Sequence, residues 1–157
     1  MTLYIVSKGF SSTVAGTFFL IFSLSIVVVR LLGARFVDRM DRRCLLIPAY
    51  LLLMVTFLLV TMANSSLAFW ALGILYGIGH GTIWMTLGSE AVRKAAPAQR
   101  GAANATFYFA FDASIGLGAS LWGVLIDAIG FHHAFCIASV GFVLLSVAAF
   151  CCFRPEH

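Results

Sequence analysis

Two polar side chains stand deep inside stretches that otherwise carry no charge, and they are the first candidates for chemistry. Asp112 lies about eleven residues into an apolar run that opens at Gly101, and His80 lies about ten residues before a polar connector. At 1.5 Å per residue both fall ~15 Å from the charged ends of their segments, near the middle of a ~30 Å hydrocarbon layer. The two runs are consecutive and antiparallel on this reading, so the side chains are expected to face each other or a shared aqueous cavity. A carboxylate at that depth costs at least ~2.5 kcal/mol to insert, which makes Asp112 a candidate for substrate binding or proton transfer. Structural hydrogen bonding is the alternative for Asp112. For His80, flanked by Gly79 and Gly81, a neutral imidazole bonded to a neighbouring helix is the stronger expectation.

A third group of reactive side chains is packed into one short island, Arg35-Phe-Val-Asp38-Arg39-Met-Asp41-Arg42-Arg43. Residues 9–29 before it carry no Lys, Arg, Asp or Glu, and residues 44–89 after it form a charge-free run of 46. A crossing helix needs ~20 apolar residues, so the second run is long enough for two. Five spans are expected, at about 13–32, 44–62, 67–88, 101–126 and 131–153, as one all-α helix bundle filling residues 1–157. Asn64-Ser65-Ser66 marks the hairpin inside the long run, and Pro97 discourages helix continuation in the 89–100 connector. Residues 1–8 read as the outer end of a span whose beginning is missing, and no cleaved signal is indicated.

Nine of the ten basic residues fall in the loops at 33–43 and 89–100, at Arg30, or at Arg154 after the last span. Only Lys8 falls on the other side. By the positive-inside rule those loops and the C-terminus are cytoplasmic and the N-terminus is outside, in the cell (inner) membrane. Hydrophobic residues make up 62% of the chain and charged ones 10%, so most of its surface is solvated by lipid or by other helices. The basic surplus belongs to topology rather than to a nucleic-acid stripe, and no nucleic-acid partner is expected.

Enzyme chemistry finds no foothold. There is no His-Glu-x-x-His, no Gly-x-Ser-x-Gly and no phosphate loop, and no cofactor is indicated. Cys44, Cys136, Cys151 and Cys152 have no zinc-like spacing. His132-His133 near Asp127 are adjacent residues that point in different directions. Asp38 and Asp41 as a metal pair for a lipid-active enzyme would lose their carboxylates to the surrounding arginines. Gly77 with Gly81, Gly116 with Ser120, and Ala119 with Gly123 are spaced by four, which puts small residues on one helix face for close packing.

The run Arg30-Leu-Leu-Gly-Ala-Arg-Phe-Val-Asp38-Arg39-Met-Asp-Arg42-Arg43 resembles the cytoplasmic signature loop of the major facilitator superfamily, Gly-x-Leu-Ala-Asp-Arg-x-Gly-Arg-Arg. Asp38, Arg39, Arg42 and Arg43 match it, Ala34 stands at the first glycine, and Asp41 replaces the second. Gly77-Ile-Gly79-His80-Gly81, Arg100-Gly-Ala-Ala-Asn104-Ala and Gly116-Leu-Gly118 resemble parts of the tenth and eleventh helices of such transporters. The resemblance implies helices eight to twelve of a twelve-helix carrier, of the efflux type for sugars or drugs. It implies alternating access in the lipid bilayer on a small-molecule substrate, with protons as a candidate coupling ion and Asp112 as the titrating group. It also implies a gating role for Asp38, Arg39, Arg42 and Arg43, beside the plainer one of fixing topology. The missing N-terminal half or a second copy would be the partner. The competing reading is a truncated, non-transporting membrane protein that serves as a partner subunit or an inactive remnant.

Overall fold

A computed structural model describes residues 1–37 and 40–152, the side chains of residues 34–37 excepted. Asp38 and Arg39 lie outside the described residues, as does the tail from residue 153 onward. The described chain is helical without strands: α1 (Thr2–Ser7), α2 (Ser12–Val37), α3 (Arg42–Met62), α4 (Ser66–Lys94), a 3-10 turn at Pro97–Gln99, and α5 (Arg100–Cys152). Four helical runs, one each in α2, α3, α4 and α5, are long and apolar enough to cross a bilayer.

The breaks between helices have local causes. Gly9 takes φ 86° after α1. The Asp41 side chain accepts a 3.1 Å hydrogen bond from the Arg43 amide and caps α3. The acid that stands where the signature has glycine therefore satisfies one of the orphan amides of a new helix. Ser65 does the same for α4, accepting 3.2 Å from the Ala68 amide. At the far end of α3 the Lys8 ammonium donates to the Thr61 and Ala63 carbonyls, at 3.0 and 2.9 Å, and to Asn64 Oδ1 at 3.1 Å. A cation on the last carbonyls of a helix complements its negative pole.

α5 would be ~80 Å long as a straight rod. It is not straight. Gly130 adopts φ 78°, ψ 164°, which breaks α5 into a first arm (100–129) and a second arm (131–152). The second arm runs antiparallel to α3: Phe135 and Phe142 meet Phe57, and near the start of α3 the Arg43 guanidinium lies 4.8 Å from the Phe150 ring centroid. The first arm starts against α4, with Phe107 beside Gly88 and Phe111 stacked 4.4 Å on Trp84.

α4 threads between α2 and α3, and its glycines explain how. A Cβ on Gly77 would come within 2.5 Å of Ser25 Cβ and 2.6 Å of the Phe22 carbonyl oxygen on α2. One on Gly79 would meet Leu53 of α3 at 2.8 Å. Gly81 continues the α2 contact at Ile26 and Val29. Small residues here let backbones approach and gain dispersion energy that lipid alone would not supply. The pairs Gly116 with Ser120 and Ala119 with Gly123 find no packing partner within this chain. Gly116, Gly118 and Gly123 have nothing within 4 Å of a would-be Cβ, because the first arm of α5 leaves its small-residue face uncovered.

Two apolar clusters hold the bundle. Tyr4, Ile5, Phe18, Val60, Phe69, Leu72 and Phe135 close the end near α1. Leu46, Tyr50 and Ala149, with Ile83, Leu87 and Phe142 against them, close the end near the Arg-rich island. The outward faces stay apolar; Leu20, Leu24, Leu31 and Leu32 on α2 are each more than 60% exposed. A water-soluble monomer would not carry such a surface, whereas hydrocarbon solvates it.

Candidate functional site

Tyr76, His80 and Trp84 are spaced by four on α4 and fall on one face. Phe22 of α2 stacks 4.7 Å on Tyr76 and lies 5.8 Å from the His80 ring. Phe111 of α5 lies 6.1 Å from His80 on the opposite side and stacks on Trp84. Tyr108 adds an edge contact to Trp84 at 6.1 Å. Above Trp84 the Arg30 guanidinium sits 4.1 Å from the ring centroid, a cation–π geometry. The result is an aromatic stripe, ~12 Å from Tyr76 to Trp84 along the axis of α4.

A cavity adjoins each end of that stripe. Near the Arg-rich end one of about 700 Å³ is walled by Arg30, Trp84, Arg100, Asn104, Phe107 and Tyr108, among others. Near the other end one of about 520 Å³ includes Tyr76, Ser114, Gly118, Trp122 and Phe135 in its lining. His80 stands between them on α4, with aromatic neighbours on three helices. It makes no hydrogen bond with a described residue, which corrects the expectation of an imidazole tied to the next helix; here the ring is held by packing.

Asp112 is one residue past the contact. Phe111 turns toward α4, and Asp112, about 100° further round the helix, is exposed and makes no hydrogen bond or ion pair with a described residue. The face-to-face arrangement of Asp112 and His80 expected from depth alone is therefore not formed, since Phe111 occupies that position.

The Arg-rich end carries an ion-pair knot that the residue pattern only half disclosed. Glu90 is buried, 6% exposed. Arg42 Nε reaches its carboxylate at 2.8 Å from α3, Arg93 Nε donates at 3.0 Å and Lys94 Nζ lies 3.2 Å away. Glu90 stands in the last turns of α4, past its apolar stretch. Burial pushes its carboxyl up, but hydrogen bonds from Arg93 and Lys94 and the charges of Arg93 and Arg42 outweigh that and hold it below the ordinary 4.5. Of the four candidate gating residues, Arg42 is in this knot and Arg43 lies on Phe150, while Asp38 and Arg39 fall outside the described residues.

Four participants were not singled out from sequence: Arg30, Tyr76, Trp84 and Glu90. A signal existed for three of them. Tyr76-x3-His80-x3-Trp84 is a one-face helical repeat, and Glu90 precedes Arg93 and Lys94 by three and four residues, the spacing of intrahelical ion pairs. Nothing local announces that Arg30 stacks on Trp84. Among the described residues no cluster of three or more His, Cys, Asp or Glu is arranged to hold a metal ion.

Comparison of the chain with curated proteins and with solved structures gives no match. The sequence profile of the Major Facilitator Superfamily matches residues 1–157, which with the all-helical bundle and its membrane-length helices makes this an integral membrane protein. The chain belongs to the Major Facilitator Superfamily, a family of membrane transporters.

Proposed function

We propose that this chain forms the C-terminal part of a carrier that moves a small solute by alternating access, with efflux of a sugar or drug-like compound as the activity. The observation that carries the reading is the family match over residues 1–157. A stripe of rings on α4 with a cavity at either end supports it, since such rings can stack on sugar faces or on the apolar body of a drug. On this proposal the chain crosses the membrane five times, with Gly130 outside and the Arg-rich end cytoplasmic, and the Glu90 knot holds α3 and α4 together during the cycle. His80 lies in the path, and Asp112, exposed on the first arm of α5, is the candidate proton carrier.

The second reading, a non-transporting partner subunit, draws on the uncovered face at Gly116, Gly118 and Gly123. Facilitator halves are related by an axis along the membrane normal, so that face would meet another bundle. Counterflow in proteoliposomes separates the two readings. Labelled sugars and drug-like compounds are offered to the chain alone and to the chain supplied with a facilitator N-terminal half. Saturable counterflow that requires both halves supports the carrier reading, and Asp112→Asn should then abolish its dependence on a proton gradient. Absence of counterflow with both halves present favours the non-transporting subunit. Unchanged pH dependence in Asp112→Asn removes Asp112 from the mechanism.

A further inference from the structure

The cavity at the Arg-rich end has a charge balance that transport of a neutral sugar does not explain. Its wall includes four guanidinium groups, Arg30, Arg42, Arg93 and Arg100, and no carboxylate among the described residues. Glu90 is not part of that wall, and it is already engaged by Arg42, Arg93 and Lys94. Arg30 and Arg100 make no ion pair with a described residue. Arg30 lies over Trp84, its guanidinium carbon 4.1 Å from the ring centroid, a contact that holds the group while using none of its N–H donors in an ion pair with a described residue. Trp84 brings a second donor, since its indole Nε1 is buried without a hydrogen-bond partner.

We infer that this cavity binds a phosphate group, carried either by a small soluble ester or by the headgroup of an anionic lipid. Guanidinium forks match the oxygens of phosphate two at a time, and a surplus of positive charge favours a multiply charged anion over a neutral ligand. Arg100 and Asn104 belong to the first turns of α5, so the positive pole of that helix points its field at the same space. The volume, about 700 Å³, exceeds what a bare anion fills. Trp84, Phe107 and Tyr108 supply the apolar wall for the glyceryl or sugar portion of the ester. The cavity is the Arg-rich end of the solute path proposed above; phosphate binding there is read without any transport step, so its failure would leave the transport reading standing.

The test uses the full chain purified in a phosphate-free sugar detergent. In one arm, radiolabelled glycerol 3-phosphate is measured by equilibrium dialysis, with glycerol as the uncharged control. In the other, phosphatidylglycerol is added and retained lipid is counted by native mass spectrometry against diacylglycerol. Saturable binding in either arm, weakened about tenfold or more by Arg30→Gln and by Arg100→Gln, supports the site and names its source. Arg100→Lys should recover part of the affinity, because it keeps the charge and loses the fork. Arg100 is exposed, so its variants report on binding without disturbing the core. Failure to bind in both arms, or binding that Arg30→Gln and Arg100→Gln leave unchanged, overturns the inference.

Discussion

Replacing Glu90 by Gln keeps the shape of the side chain and removes one negative charge from beneath three cations. The partners differ in how well water can take over. The side chains of Arg93 and Lys94 are 45% and 69% exposed, so both can turn outward, and their pairs contribute about 0–1 kcal/mol each. Arg42 is 14% exposed, so water replaces the carboxylate there far less readily. Breaking a buried pair by removing one partner costs ~3–5 kcal/mol, and partial relief by the flanking cations places Glu90→Gln at the low end, about 3 kcal/mol. That is a shift of about a hundredfold in the folding equilibrium. Denaturant-driven unfolding in mixed micelles, followed by far-ultraviolet circular dichroism, reads it directly. Arg42→Gln in the same assay, and the double variant, complete a cycle whose coupling should be about 1 kcal/mol or more. The pH dependence gives a second check. The folded pKa of Glu90 lies below its ordinary 4.5, so its contribution is complete above that value and is lost as the pH falls through the folded one. Glu90→Gln should therefore flatten the stability profile on the acid side. A loss smaller than ~0.5 kcal/mol, or additive Glu90 and Arg42 effects, would refute the claim that this knot joins α3 to α4.

The glycines offer a paired prediction. Gly77→Ala should cost ~1–3 kcal/mol, because its new methyl meets the Phe22 carbonyl at 2.6 Å, whereas Gly116→Ala in open space should stay within ~0.5 kcal/mol of the parent in the same unfolding assay. Lys8→Met should destabilise by about 1 kcal/mol by uncapping the end of α3, and hydrogen exchange should rise at residues 61–64 before it rises in α4. Gly130→Ala meets no neighbouring atom, so its cost is backbone strain alone, ~1–2 kcal/mol for an L side chain at φ 78°, measured as a lower unfolding midpoint.

Much of the architecture was legible before any coordinates. Charge-free length marks a crossing because the hydrocarbon layer is itself the solvent that selects it, and length is read along the chain. Ser65 capping α4 and the turn at Pro97 likewise depend on neighbours a few residues away. Even the break at Gly130 was foreshadowed by the gap between the fourth and fifth apolar runs. Depth in the membrane could be estimated in the same way, and it placed His80 and Asp112 at one level.

Level is not direction. Which face of a helix meets which neighbour depends on its rotation, and one residue turns that direction by about 100°. Depth brought Asp112 opposite His80; rotation put Phe111 there and left Asp112 exposed. The same ambiguity hid the stacking of Arg30 on Trp84 and the reach of Arg42 to Glu90, which join α2 and α3 to α4. It also separated the glycines: Gly77 and Gly81 turn into α2, while Gly116 and Gly123, with the same small-residue spacing, face open space. The sequence by itself determined that this chain is a bundle of membrane-length helices with an Arg-rich end, because lipid solvation acts on each segment alone. Only the tertiary structure decided which side chains form the stripe, the knot and the basic cavity, because those depend on how each helix is turned against its neighbours.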